Sequence, residues 1–307
     1  MSCITATCII NGICVSVPMG KRRWKDRRDG YYLYDADPLH KFMPHLMPKR
    51  TECEVFLKES IDVTEVLTYL EEKKAVDGNN ITMFSLLMST IVRVFALRPN
   101  LNNFIAGRRL YRRKSIDIGF VVKRELSDAG EETVVRIIFD PSLTIFEISD
   151  KLYAHVNEFR SSEAAGVDGI LKTFSKMPRF MVAFIVSLLR ILSYFGRVPR
   201  SITDSDPNHA SAFVANMGSL KANAPFHHLS EWGTNSLFIT VGAITDAVCA
   251  VDGVPEVRKC IDLAFTVDER IADGYYFMTS IKLMKDILSN PSVLEAPFVP
   301  EAPNDSE

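Results

Sequence analysis

The residues with usable chemistry fall in three places. Arg108, Arg109, Arg112, Arg113 and Lys114 crowd one short stretch. Planar guanidinium forks bind phosphate oxygens two at a time, so this cluster suits an anionic cofactor; a solvated hairpin turn accounts for the same charges. His227 and His228 are adjacent in a polar loop that also holds Glu231 and Trp232. Imidazole is well suited to moving a proton near neutral pH, although adjacent side chains are expected to point in different directions. The third place is the run Asp268-Glu269-Arg270-Ile271-Ala272-Asp273-Gly274, set between a strand-like and a helix-like pattern. Metal chemistry is not indicated. Cys3, Cys8, Cys14, Cys53, Cys249 and Cys260 have no paired ligand spacing, and His40, His45, His155 and His209 are scattered. No zinc site and no disulfide framework are expected.

Regular elements must position these groups. Residues 259–267 alternate, with Ile261, Leu263, Phe265 and Val267 against Asp262, Ala264 and Thr266, which predicts a strand. A helix is expected over 274–288, and Gly274 suits a tight turn between the two. Residues 53–57, 104–111, 115–122, 133–139, 212–215 and 236–244 read as further strands. Helices are expected over 80–97, over 143–159, and after Asp62, which with Glu65 has the spacing of a capping box. The alternation predicts one mixed α/β domain over 53–290. Residues 180–195 are the most hydrophobic segment, but Arg190 interrupts it and leaves an uncharged run too short to span a bilayer. A buried or inter-subunit helix is expected there, with an interfacial membrane helix as the alternative. Residues 19–52, punctuated by Pro38, Pro44 and Pro48, predict an extended arm without regular helix. The Pro- and acid-rich residues 291–307 predict a disordered tail.

Of the 307 residues, 47% are hydrophobic and 24% charged, with a formal net charge of −2. That balance offers no general attraction for nucleic acid, and membrane contact is not expected. Residues 1–18 are apolar but precede the basic cluster at 21–28, the wrong order for a signal peptide. We expect an upstream extension, with translation starting at Met19, the alternative being a membrane-surface anchor with basic flanks; the cysteine pattern leaves a cytoplasmic, reducing setting as the expectation. A chain shortened to Met19 should melt within a few degrees of the full one; a loss of more than roughly 10 °C would contradict this.

The run at 268–274 is similar to the D-H-R-x-x-D-G signature of the acyltransferase component of 2-oxo acid dehydrogenase complexes, whose superfamily includes chloramphenicol acetyltransferase. Ile61-Asp62-Val63-Thr64-Glu65-Val66 looks like that family's first catalytic-domain helix. Pro99-Asn100-Leu101-Asn102 and Ile116-Asp117-Ile118-Gly119 look like the turn and hairpin that follow. Phe213-Val214-Ala215-Asn216-Met217-Gly218 and Val241-Gly242-Ala243-Ile244 resemble two further strands. The likeness runs from about residue 53 to 288, and no lipoyl or subunit-binding domain fits in the residues before it. It implies a CoA-dependent acyltransferase-like fold, a two-layer α/β sandwich with a mixed sheet, together with a trimer and coenzyme A or acyl-CoA as substrate, with Arg109, Arg112 and Arg113 suited to its phosphates.

In that family the signature histidine takes the proton of a thiol, and here Glu269 stands in its place. A carboxyl near about 4.3 is a weak base for a thiol near about 8.5, unless burial raises it by several units. The implied oxyanion donor falls on Val214 and Ala215, which have none; Asn216 and Ser219 are the nearest polar alternatives. Losing one such donor costs about 2.7–4 kcal/mol elsewhere. Three functions remain open: an acyltransferase or thioester-handling enzyme centred on Glu269, an inactive trimeric scaffold or binding subunit, and a membrane-surface protein that uses residues 1–28 or the helix over 180–195. His227 or His228, oriented by Glu231 or Glu269, could be a relocated base. Asp273 is expected to organise the turn by tying down Arg270. The working site is expected between subunits, with Glu269 of one facing the histidine loop of the next.

Overall fold

Long alternating strands form the spine of the protein. The structure, a computed structural model, describes residues 5–10, 13–18, 23–77, 81–123, 132–161, 176–204 and 206–299. Near the N-terminus, β1 (Thr5–Ile10) and β2 (Ile13–Pro18) pair with each other. β10 (Leu237–Val251) and β11 (Val254–Asp268) make a hairpin, and β4 (Glu54–Asp62) pairs antiparallel with β11, placing Glu54 opposite Asp268. β9 (Ala212–Asn216) joins β10 in parallel; β7 (Ile116–Lys123) follows in parallel and β8 (Glu132–Phe139) antiparallel. The result is a mixed six-stranded sheet in the order β4-β11-β10-β9-β7-β8.

Period-two alternation divides this sheet into two faces. Ile118, Val214, Ile239, Val241, Leu263, Phe265 and Val267 enter the core on one face. Over that face lie α2 (Thr64–Asp77), α3 (Met83–Leu97), α4 (Ile145–Ser161) and α7 (Gly274–Ser289). α3 is apolar nearly all round and sits between α4 and α7, the position such a helix must take. The opposite face carries Phe213 and Phe238, whose rings stack at 4.8 Å, and is crossed by the loop at 221–233. His227 stacks on Phe238 at 4.2 Å, and Phe226 meets Phe56 of β4 edge-on at 5.4 Å. The loop therefore reaches from the middle of the sheet to its β4 edge.

Several expectations change. The strand expected over 104–111 is a hairpin: β5 (Asn103–Ala106) and β6 (Arg109–Arg113) join through Gly107 and Arg108, both at positive φ as a two-residue turn requires. A Cβ on Gly107 would collide with the carbonyl oxygen of Tyr194, so this turn demands glycine. β3 (Gly30–Tyr32) completes a three-stranded sheet on β6. The arm is not wholly extended, because α1 (Pro38–Leu46) forms with Pro38 at its start, where a missing N–H costs nothing. Asp37 caps it, accepting from the Leu39 N–H at 2.8 Å, and Pro44 is tolerated close to its end. The capping box at Asp62 is absent; Asp62 instead accepts from the Thr64 N–H and hydroxyl at 2.9 and 2.7 Å and pairs with Arg258. The tail begins ordered: Leu294 is buried, and Glu295 accepts from the Tyr69 hydroxyl and Lys73, both at 2.9 Å. Residues 300–307 lie outside the described residues. α5 (Arg179–Tyr194) buries none of its side chains within the chain, so of the buried and inter-subunit readings the first is overturned and the second is untouched; α6 (Arg200–Thr203) follows it.

Candidate active site

β11 ends in a cluster of charges nearly sealed from water. Asp268 is fully buried, and its Oδ1 accepts from the Arg270 backbone N–H at 3.1 Å and from Arg270 Nε at 2.8 Å. Its Oδ2 accepts from Arg270 Nη2 at 2.7 Å. Arg270 also donates Nη1 to the Met47 carbonyl at 2.9 Å. Arg50 is buried beside the pair, with Nε 3.8 Å from Asp268 Oδ2. Its Nη1 donates to the Ser230 carbonyl at 2.8 Å, and its Nη2 to those of Gly233 at 3.1 Å and Ile105 at 3.3 Å. Burial lowers the pKa of Arg50, and Asp268 opposes that shift.

The residue that ties down Arg270 is thus Asp268, not Asp273. Asp273 is exposed and caps α7, accepting from the Tyr276 N–H at 2.7 Å. Gly274 faces open space where a Cβ would stand and has no positive φ, so the turn does not demand glycine there. Glu269 is half-buried, and its N–H donates to the Cys53 carbonyl at 3.0 Å. Burial pushes the adjacent Cys53 thiol up to about 11; Asp268 and Glu269 add to the rise and Arg270 opposes it. A thiol held there is protonated at neutral pH and is not a nucleophile.

Cavities flank this turn on two sides. One of about 410 Å³ lies between the arm and the turn, lined by Tyr34, Asn103, Arg112, Asp273 and Tyr276 among others. A second of about 480 Å³ is rimmed by Lys49, Arg50, Arg108, Arg190 and Arg270, with Glu231. A third, about 330 Å³, opens on the outer face of the sheet and brings together Ala215, His227, His228 and Phe238. The linings of these three include Arg270 and Asp273 but not Glu269.

The cationic hairpin splits by role. Arg113 is buried, donating to the His209 carbonyl at 2.7 Å and to the Thr234 carbonyl and hydroxyl at 3.1 and 3.0 Å. Burial pushes its pKa down to about 10, with Asp117 and Asp29 opposing. It stacks over Phe104 at 4.6 Å and serves the fold, which removes it from the expected cofactor contacts. Arg109 is exposed on the first β6 position. Arg112 faces the first cavity, held by Asn103 at 2.8 Å and Asn100 at 2.5 Å, with its pKa lowered by burial to about 10.

The histidine pair also differs from expectation. The two rings stack at 4.6 Å instead of diverging, and both are exposed. His227 Nδ1 is 2.7 Å from the His228 carbonyl. Glu231 does not orient them, because it accepts from the Thr51 N–H and hydroxyl at 3.0 and 3.2 Å. Asn216 accepts from the Gly218 N–H at 3.1 Å, and exposed Ser219 donates to the Asn216 carbonyl at 3.0 Å. Ala215 presents a methyl group to the third cavity.

No family model and no curated protein sequence matches the chain. Solved structures do. A probable dihydrolipoamide acetyltransferase from Listeria monocytogenes 4b F2365 superposes with a TM-score of 0.55 at 14% identity, covering 84% of this chain and 94% of that one. The dihydrolipoamide acetyltransferase of Azotobacter vinelandii, studied for the roles of a serine, a histidine and an asparagine in its catalytic mechanism, gives 0.55 at 17%, covering 86% and 95%. The cubic core of the pyruvate dehydrogenase multienzyme complex gives 0.51 at 16%, covering 83% and 88%. This chain has the fold of the dihydrolipoamide acetyltransferase core.

Within that acetyltransferase fold, sequence reasoning missed Arg50 and Glu54. Arg50 joins Asp268 to the loop at 229–233, and Glu54 accepts from the Leu229 N–H at 2.5 Å. The signature turn and the histidine loop are thereby linked inside one chain. Neither residue carries a local signal. Arg50 ends a proline-punctuated arm and Glu54 opens an edge strand, and only strand register and long-range contacts reveal their use.

Proposed function

We propose that the chain transfers acyl groups between thiols, one of them coenzyme A-linked, with Glu269 in the place of the base. The supporting observation is the turn itself, a wall anchored by Asp268 and Arg270, with Asp273 lining one cation-bearing cavity and Arg270 another. Donor and acceptor thiols entering by the two cavities would meet at such a wall. Glu269 would take the acceptor thiol's proton as its sulfur bonds to the thioester carbonyl carbon. The tetrahedral intermediate then expels the coenzyme A sulfur, which recovers the proton. Arg112 in the first cavity, and Lys49 and Arg108 in the second, are the cations offered to coenzyme A phosphates. Trimeric assembly is part of this reading, supported by the shared fold with a multienzyme core.

One observation favours the second reading, a scaffold or binding subunit without turnover. Where a hydroxyl donor is implied by the family, Ala215 offers a methyl and Val214 is buried in the core. Titration calorimetry with coenzyme A separates these cases. Binding should weaken with salt and weaken further in Arg112→Ala. Loss only in Arg108→Ala would move the phosphates to the second cavity, and no binding at millimolar coenzyme A would remove the cofactor assignment.

A further inference from the structure

α5 and its flanks carry two properties that rarely occur together. The first is apolar exposure concentrated on one helical face, with Val186 exposed outside it. At 3.6 residues per turn, Phe180, Phe184, Leu188 and Ile191 fall within about 80° of one another, and Phe195 continues the line. Phe180 is 74% exposed, Phe184 71%, Ile191 57% and Phe195 66%. The half-buried side chains Val182, Ile185, Leu189 and Leu192 take a different side of the helix. The second property is charge. Residues 176–203 contain Lys176, Arg179, Arg190, Arg197 and Arg200 and no Asp or Glu. Among the described residues, none of these five cations takes part in an ion pair, and all five are exposed.

The helix is fixed to the body at its C-terminal end. Arg27 donates to the Ser193 carbonyl at 3.3 Å, Arg28 to that of Val198, and the Gly107 turn packs on Tyr194. No described helix is long and apolar enough to cross a membrane. A helix of this kind, apolar on one face and bordered by unpaired arginines, lies flat in the boundary between lipid headgroups and acyl chains.

We propose that α5 docks this protein on an anionic phospholipid surface. Phe180, Phe184, Leu188, Ile191 and Phe195 enter the acyl boundary, and Lys176, Arg179, Arg197 and Arg200 meet the phosphates. Arginine stems suit this, since they lie along apolar surface while the guanidinium stays at headgroup level. The sequence left an interfacial membrane helix here as the alternative to a buried or inter-subunit one; the exposed apolar face and the local excess of cations favour that alternative. The proposal does not depend on the acyl-transfer reading.

Sedimentation of the full chain with vesicles tests it. With phosphatidylcholine vesicles holding about one third phosphatidylglycerol, the wild type should pellet with the lipid, and raising salt should release part of it. Pure phosphatidylcholine should bind much less. Arg179→Ala with Arg197→Ala should weaken binding about fivefold per arginine removed. Phe184→Glu with Ile191→Glu should abolish it, with an unchanged melting temperature because both sites are exposed. Equal binding of this last variant and wild type, or equal binding to neutral and anionic vesicles, would overturn the proposal. Dissociation of a wild-type oligomer by Phe184→Glu with Ile191→Glu, without wild-type vesicle binding, would also overturn it and assign the face to a second copy.

Discussion

Asp268→Ala should be among the most destabilising single substitutions in this protein, by about 3–5 kcal/mol. Among the described residues the carboxylate is the only acid bonded to Arg270; it lies 3.8 Å from Arg50 Nε, and all three residues are buried. Removing it leaves two guanidinium groups facing one another with Glu231, held by Thr51, as the remaining nearby counter-charge. Arg50 is the more exposed to that loss, because burial already lowers its pKa and its Nε has no hydrogen-bond partner. The damage should not stay local. Arg270 also holds the Met47 carbonyl, and Arg50 holds those of Ser230 and Gly233, so the arm and the histidine loop would loosen together. Chemical denaturation should show the loss, and Asp268→Ala with Arg270→Met should cost less than the sum of the two single changes, since partners in one network couple. A loss below about 1 kcal/mol would mean that water reaches the cluster and that the turn is not a rigid wall.

The sequence was most informative where one pattern had one physical cause. The strict alternation of Ile261, Leu263, Phe265 and Val267 follows from a strand with one face in the core, and the structure places all four there. The family likeness, read across 53 to 288, led to the mixed two-layer fold. Local patterns failed wherever a distant contact set the outcome. Pro38 and Pro44 read as helix breakers, yet one sits at a helix start and the other close to its end. Leu294 and Glu295 looked like part of a disordered tail, but a buried side chain and two partners on α2 order them. Arg113 looked like a ligand contact and is buried against backbone carbonyls. α5 read as buried in the core or between subunits because apolar sequence usually is covered, and hydrophobicity alone does not say what covers it.

Glu269→Gln should lower any thioester exchange by about 10²–10⁴-fold while leaving the protein folded. The side chain makes no hydrogen bond or ion pair among the described residues, so its amide replacement should change stability by less than about 0.5 kcal/mol. The backbone anchor at Cys53 survives the substitution, so a loss of rate would report on the carboxylate and not on the turn. Glu269→Asp should retain part of the activity, since it keeps the charge with a shorter reach. Full activity in Glu269→Gln would remove Glu269 as the base and leave His227 and His228, exposed beside Ala215, as the candidates. The converse experiment addresses the scaffold reading. Glu269→His with Ala215→Ser supplies an imidazole and a hydroxyl donor where the family has them, the second worth about 2.7–4 kcal/mol of transition-state stabilisation. If the wild type shows no exchange with any thiol and this double variant gains it, the chain has kept the architecture of an acyltransferase and given up its chemistry. If the wild type is active and the double variant is slower, the glutamate-centred site is a working design whose geometry an imidazole does not fit.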